Sequence, residues 1–135
     1  MPTSQLDGTM LDKQAEFDLP REIAEAQQKK PWAAGHYAKT LFKKHDLRIL
    51  LITMEDAAHM KEHHADGTLS VQVLRGRLRL NVAGKPHELA EGSLFTLAGS
   101  IRHDIQSVGD SAFLLTLSWP RPEELAAMKH RGYGT

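Results

Sequence analysis

Three of the chain's eight histidines, His59, His63 and His64, fall within six residues, with Glu62 among them, and His103 follows in a later segment. Imidazole and carboxylate are the side chains that hold divalent metals, move protons near neutrality and hydrogen-bond small ligands. The stretch "MEDAAHMKEHHADG", residues 54–67, is rich in helix formers, and on a helix His59 and His63 stand at i and i+4. On a strand, His59, Lys61 and His63 share one face and Met60, Glu62 and His64 the other. His59 and His63 would then lie about 13 Å apart at ~3.3 Å per residue, too far to share one ion, so pairs two residues apart, such as Glu62 and His64, are the usable ones.

Much other chemistry is ruled out. The chain has no cysteine, which removes disulfides, thiolate metal sites and thiol nucleophiles and makes the cytosol the default compartment. No nucleophile with a base beside it appears, nor a glycine-rich phosphate loop or a dinucleotide fingerprint; "AGKP" has one glycine and no helix after it. With 17 basic and 17 acidic residues the net charge is zero, so no whole-chain field favours nucleic acid or an anionic membrane. No apolar stretch reaches membrane-span length, and "MPTSQLDGTM" lacks the basic start and apolar run of a signal peptide.

A length of 135 residues suits one domain with a single core. Residues 1–15 are expected to form a disordered tail, and residues 16–36 an N-terminal helix and linker. The helix runs from Glu16 to Lys30, with Pro20 in its first turn, a narrow apolar face of Ile23 and Ala24, and a stop at Pro31. Residues 37–119 read as strands: "AKTLFKK", "DLRILLITM", "TLSVQVLR", "RLRLNV", "HELA", "SLFTLA" and "AFLLTLSW". "AGKP", "EG" and "VGDS" read as the turns between them. Short alternating runs at this spacing predict an antiparallel sandwich or barrel. Residues 120–135 close with a short helix, "PEELAAMKH", and a tail.

The stretch from "EHHADG" through "SWP" resembles the core of small single-domain bacterial cupins of the RmlC-like superfamily, over roughly residues 37–119. The family's first motif is G, five residues, H-x-H, three or four residues, E, six residues, G. Gly76 of "VLRG" matches its closing glycine, where a tight strand-to-strand turn needs positive φ. The second motif is G, five residues, P-x-G, two residues, H, three residues, N; Gly92 and His103 match it, while Ala98, Ser100 and Ser107 replace the proline, second glycine and asparagine. Counting back from Gly76, Leu69 occupies the metal-binding glutamate position, and the H-x-H pair falls on His63 and Ala65 or on Glu62 and His64. The resemblance implies a mainly β fold, an antiparallel β-barrel of double-stranded β-helix or jelly-roll type with a helix at each end. It also makes the histidine segment a strand, with "ADG" as the turn that ends it.

The resemblance further implies a small-molecule site in the barrel, with His63, His64 and His103 as candidate ligands of a divalent ion (zinc, iron, nickel, manganese or copper) and Glu62 and His59 as weaker ones. His103 and Gln72 are candidate pocket residues, although a glutamine alternating with Val71 and Val73 also suits a solvent-facing position. Trp32, Trp119, Phe113 and Phe95 could form an aromatic wall but more simply serve as core or helix anchors. Arg75, Arg77 and Arg79 read as one solvated strand face, and His36, His45, His87 and His130 receive no role. Two functions follow as alternatives, a metal-assisted enzyme acting on a small molecule and a metal-free binding or sensing module. A homodimer is expected, since the two-sided apolar strand "AFLLTLSW" suits burial.

Overall fold

The structure, a computed structural model, describes residues 13–63, 67–99 and 101–119. Helix α1 (Leu19–Gln27) is shorter at both ends than the sequence suggests. The side chain of Asp18 accepts a hydrogen bond from the Arg21 N–H at 3.2 Å and so fixes the start, with Pro20 in the first turn. At the other end the bonds shorten to i→i−3, Lys29 N–H reaching the Ala26 carbonyl at 3.0 Å, and the buried Trp32 indole donates to that same carbonyl at 3.0 Å. The helix buries Ile23 and Ala26, whereas Ala24, assigned to the apolar face from the sequence, is exposed.

Seven strands follow: β1 (His36–Lys43), β2 (Leu47–Met54), β3 (His59–His63), β4 (Thr68–Val82), β5 (Lys85–Ala90), β6 (Leu94–Leu97) and β7 (His103–Ser118). All their pairings are antiparallel. The histidine segment is strand, as the resemblance implies, because its backbone N–H and C=O groups pair with β7 and that context overrides local helix propensity. β4 and β7 are unusually long and pair along their whole lengths. Their outer halves, residues 68–73 and 113–118, join β1, β2 and β6 in one sheet, and their inner halves, residues 77–82 and 103–108, join β3 and β5 in a second. The two sheets wrap one apolar core, giving the mainly antiparallel β-barrel of the jelly roll.

Two glycine-containing stretches read as turns prove to be bends. Gly76, at φ 78°, lies inside β4, and the β4–β7 register shifts on both sides of Arg75. A Cβ on Gly76 would come within 2.2 Å of the Asp110 carbonyl oxygen, so this position needs glycine for backbone angle and for close approach. "VGDS" likewise bends β7 without reversing it, with Gly109 at φ 73°. Two aspartates clasp the bend: Gly109 N–H donates to Asp56 Oδ1 at 2.8 Å, and Asp56 N–H donates to Asp110 Oδ1 at 3.0 Å. Ser107, which stands in the motif's asparagine position, is buried and donates its hydroxyl to the Gly109 carbonyl at 2.5 Å. "AGKP" is a true two-residue hairpin, with Ala83 and Gly84 both at positive φ and Val82 paired with Lys85.

Alternation along the strands sorts two apolar layers. Ile52, Met54, Leu69, Val71, Val73, Leu78, Leu80, Ile105, Phe113 and Leu115 fill the barrel. Leu41, Leu51 and Ala112, with Ile49, Leu74 and Leu114 beside them, form a second layer on the outside of the first sheet, where Ile23 of α1 packs. The outward apolar residues of "AFLLTLSW" are thus covered within the chain by α1, which gives their two-sided apolarity a cause other than a dimer contact. Among the described residues no helix is long and apolar enough to cross a membrane. The expected C-terminal helix lies outside the described residues.

Candidate functional site

Because β4 and β7 bend at one end of the barrel, its other end gathers the start of β4, the Ala83–Gly84 hairpin, and both the start and the finish of β7. Two rows of inward register positions meet at that end. In the first sheet, Arg48, Leu117, Leu69 and Leu97 stand in line across β2, β7, β4 and β6. In the second, His103, Val82 and Lys85 stand in line across β7, β4 and β5, and the backbone of His63 on β3 is in register with His103.

His103 is 1% exposed. Its Nδ1 lies 3.1 Å from the carbonyl oxygen of Ile101, which can only accept, so in the neutral ring Nδ1 carries the proton and donates. The tautomer is thereby set and the lone pair resides on Nε2, the arrangement in which an imidazole coordinates a metal or accepts a hydrogen bond from a ligand. His63 is the register partner of His103 because the ladder shifts between Met60, which pairs with Ile105, and His63. The shift also breaks the strict alternation expected of this segment, since a regular ladder would have set Glu62 opposite His103.

The side chains of Glu62 and His63 lie outside what the structure describes, and His59, Gln72 and Leu69 do not supply a ligand beside His103. His59 pairs with Gln106 on the outer face, where its half-exposed ring puts Nε2 3.4 Å from Asp104 Oδ1. Gln72 is exposed, in register with Leu94 and Leu114 on the outside of the first sheet, and so faces away from the interior that the pocket assignment required. Alternation with the buried Val71 and Val73 is the physical reason. Leu69, in the family's carboxylate position, is 3% exposed and packs in the core. His64 lies outside the described residues. Among the described residues no three His, Cys, Asp or Glu side chains are grouped to hold a metal ion, so the donor set there does not make a complete protein cage.

Two residues that sequence reasoning passed over stand at inward positions. His87 is paired with Leu80 and packs its ring on Phe95, centroids 5.1 Å apart. The signal was there, since His87 shares strand parity with the apolar Leu89. Arg48 alternates with Leu50, Ile52 and Met54, all packed in or against the interior core, and its Nε is buried. Its guanidinium carbon lies 5.5 Å from the centroid of the Trp119 ring. Of the other aromatic candidates, Phe113 is core and Trp32 anchors α1. Arg75, Arg77 and Arg79 are exposed, Arg79 pairing with Glu88 at 2.6 Å.

Comparison with known proteins agrees with this architecture. A cupin superfamily protein from Desulfitobacterium hafniense DCB-2 superposes with a TM-score of 0.64 at 15% identity, covering 70% of this chain and 87% of its own. An RmlC-like cupin from Shewanella frigidimarina NCIMB 400 gives 0.61 at 21% identity, covering 67% and 82%. The Cupin_2 domain of an XRE family transcriptional regulator from Enterobacter cloacae gives 0.58 at 22% identity, covering 64% and 99%. No curated protein matches the sequence. The model of the AraC-like ligand binding domain matches residues 49–131, more than half of the sequence, and with a barrel of cupin type the chain belongs to that family.

Proposed function

We propose that the protein is a small-molecule binding module whose ligand enters the barrel at the end where the two inward rows meet, with His103 as its principal polar contact. The observation that carries this reading is the state of His103, buried with its Nδ1 proton committed to Ile101 at one end of a barrel whose core is apolar. A mostly apolar interior with one or two oriented polar groups is the usual composition of a small-ligand site. Leu69 in the carboxylate position favours binding without catalysis, and membership of a ligand-binding family supports it. The similarity to a domain of a transcriptional regulator is consistent with a sensing role.

The test is a thermal-shift screen of small carboxylates, sugars and amines, followed by calorimetry on each compound that raises the melting temperature. His103→Gln should weaken the best of them by about tenfold, the equivalent of one hydrogen bond to a neutral group. Equal binding by that variant, or no compound that shifts the wild type, would refute the reading.

The pairing of His63 with His103 favours a second reading, in which His103 and either His63 or His64 hold a divalent ion, zinc, iron, nickel, manganese or copper. Such an ion would supply Lewis acidity toward substrate or water. Metal analysis of protein purified without a histidine tag decides between the readings: a stoichiometric metal lost in His103→Ala supports the second, and protein free of metal that zinc and iron fail to stabilise excludes it. We also expect a homodimer in the cytosol, an expectation that light scattering tests by giving a mass well above the 15.1 kDa of one chain.

A further inference from the structure

We propose that the ligand of this barrel carries a carboxylate and that Arg48 receives it; the inference rests on the binding-module reading and names the chemical class of its ligand. Register fixes Arg48 in the inward row, opposite Leu117 and in line with Leu69 and Leu97. An arginine at such a position ordinarily extends its head to water or meets a carboxylate. Among the described residues Arg21 and Arg79 do meet carboxylates, Glu25 and Glu88. Arg48 forms no ion pair there, and its buried Nε–H has no acceptor. A buried donor without an acceptor is costly, and proteins retain such groups where a ligand completes them.

Trp119 accounts for the orientation of the group. Its ring lies beside the guanidinium, a contact that favours one orientation of the fork without using any of its N–H donors. The edge of the fork is left for a planar acceptor, and a carboxylate matches it with two parallel hydrogen bonds. Of the other inward positions at this end, Leu69, Leu97, Leu117 and Val82 are apolar and suit a hydrocarbon body better than a polyol, while His103 and the exposed Lys85 stand in the second row. Lys85, the other cation of these rows, is exposed, so among the described residues Arg48 is the one partly buried positive charge there, which matches a single negative charge better than a phosphate ester. His103, in the facing row, would contact a second polar group of the ligand.

Nitrogen-15 spectra of the arginine Nε–H region provide the test, with the Arg48 signal assigned by its loss in Arg48→Lys. The probes are acetate, hexanoate and benzoate, the amide of each, and phenyl phosphate. At least one carboxylate should move the Arg48 signal and change Trp119 fluorescence, its amide should bind about tenfold or more weakly, and Arg48→Gln should lose the preference for the acid. Arg48→Lys should restore only part of it, since an ammonium lacks the planar fork. Arg48→Met guards against misfolding: it should melt no lower than the wild type, because it removes the unsatisfied donor. Acid and amide binding alike, carboxylates binding without moving the Arg48 signal, or phenyl phosphate binding more tightly would each overturn the inference. If the carboxylates fail while a neutral compound from the thermal-shift screen binds in a manner sensitive to His103→Gln, the anion inference falls and the binding module stands. If nothing in either set binds, both fall.

Discussion

His63 and His103 are opposite each other on β3 and β7 because β3 spends three residue steps, from Met60 to His63, where β7 spends two, from Ile105 to His103. A bulge of this kind changes which residue of a strand meets the neighbouring row. The two imidazole-bearing positions therefore share a row by virtue of backbone irregularity, and no count of alternation along "HMKEHH" would have paired them.

The burial of His103 separates it from His59 in a stability experiment. His103→Ala should cost about 1–3 kcal/mol in urea unfolding, since a fully buried ring leaves a cavity and removes a backbone hydrogen bond. A position at the barrel rim would instead have made that truncation nearly silent. His59→Ala should stay within about 0.5 kcal/mol, because its 3.4 Å contact with Asp104 is half-exposed and screened.

Gly76→Ala should be among the most damaging single-methyl additions in the chain. Positive φ alone costs a non-glycine residue about 1–2 kcal/mol, and the Asp110 carbonyl blocks the space the methyl needs. Gly84→Ala, at φ 81° with nothing within 4 Å, should cost only the conformational part. Equal losses of stability in the two variants would contradict the close approach.

Leu69→Glu restores the family's carboxylate within the core row. Without metal the variant should be destabilised by about 2–4 kcal/mol above neutral pH. Burial raises the folded-state pKa of such a carboxyl above its unfolded value of about 4.3. The ionisation part of the loss should therefore shrink as pH falls through the raised pKa and be gone below the unfolded one, leaving the cost of a neutral carboxyl in place of leucine. Zinc should restore stability at pH 7 only if the new carboxylate and His103 reach a common ion.

Ile23→Ala, on the buried face of α1, should cost about 2–4 kcal/mol and uncover Leu51 and Ala112 on the outer face of the first sheet. A concentration-dependent rise in mass by light scattering should accompany it. An unchanged mass would show that the helix contributes little to shielding that face.

The sequence made the strands legible because apolar alternation depends only on which face is buried, and Leu69, Val71 and Val73 or Leu78 and Leu80 state that face directly. Gly76 and Gly109 were recognised as special positions but misread as reversals. A positive φ looks the same in a turn and in a bend, and only the β4–β7 ladder running past both residues distinguishes them. The spacing of the second motif singled out His103, and the structure adds its burial and its Ile101 contact. Gln72 was not legible as a pocket residue, because family resemblance says nothing about parity, whereas its neighbours Val71 and Val73 did. Arg48 was readable as the one charge of β2, in phase with Leu50, Ile52 and Met54, a signal hidden by the apolar residues of opposite phase that α1 covers.

The partners of β7 set the order in which the barrel can assemble. This strand lies between β2 and β4 in the first sheet and between β3 and β4 in the second, so β2 and β3 each lack their β7 neighbour until residues 103–118 have been synthesised. Neither sheet can be completed as an independent folding unit, and closure waits on contacts distant in sequence, which slows folding. Chains ending near residue 102 should stay protease-sensitive and collect on chaperones, while chains extended past residue 118 gain protection of both sheets in a single step.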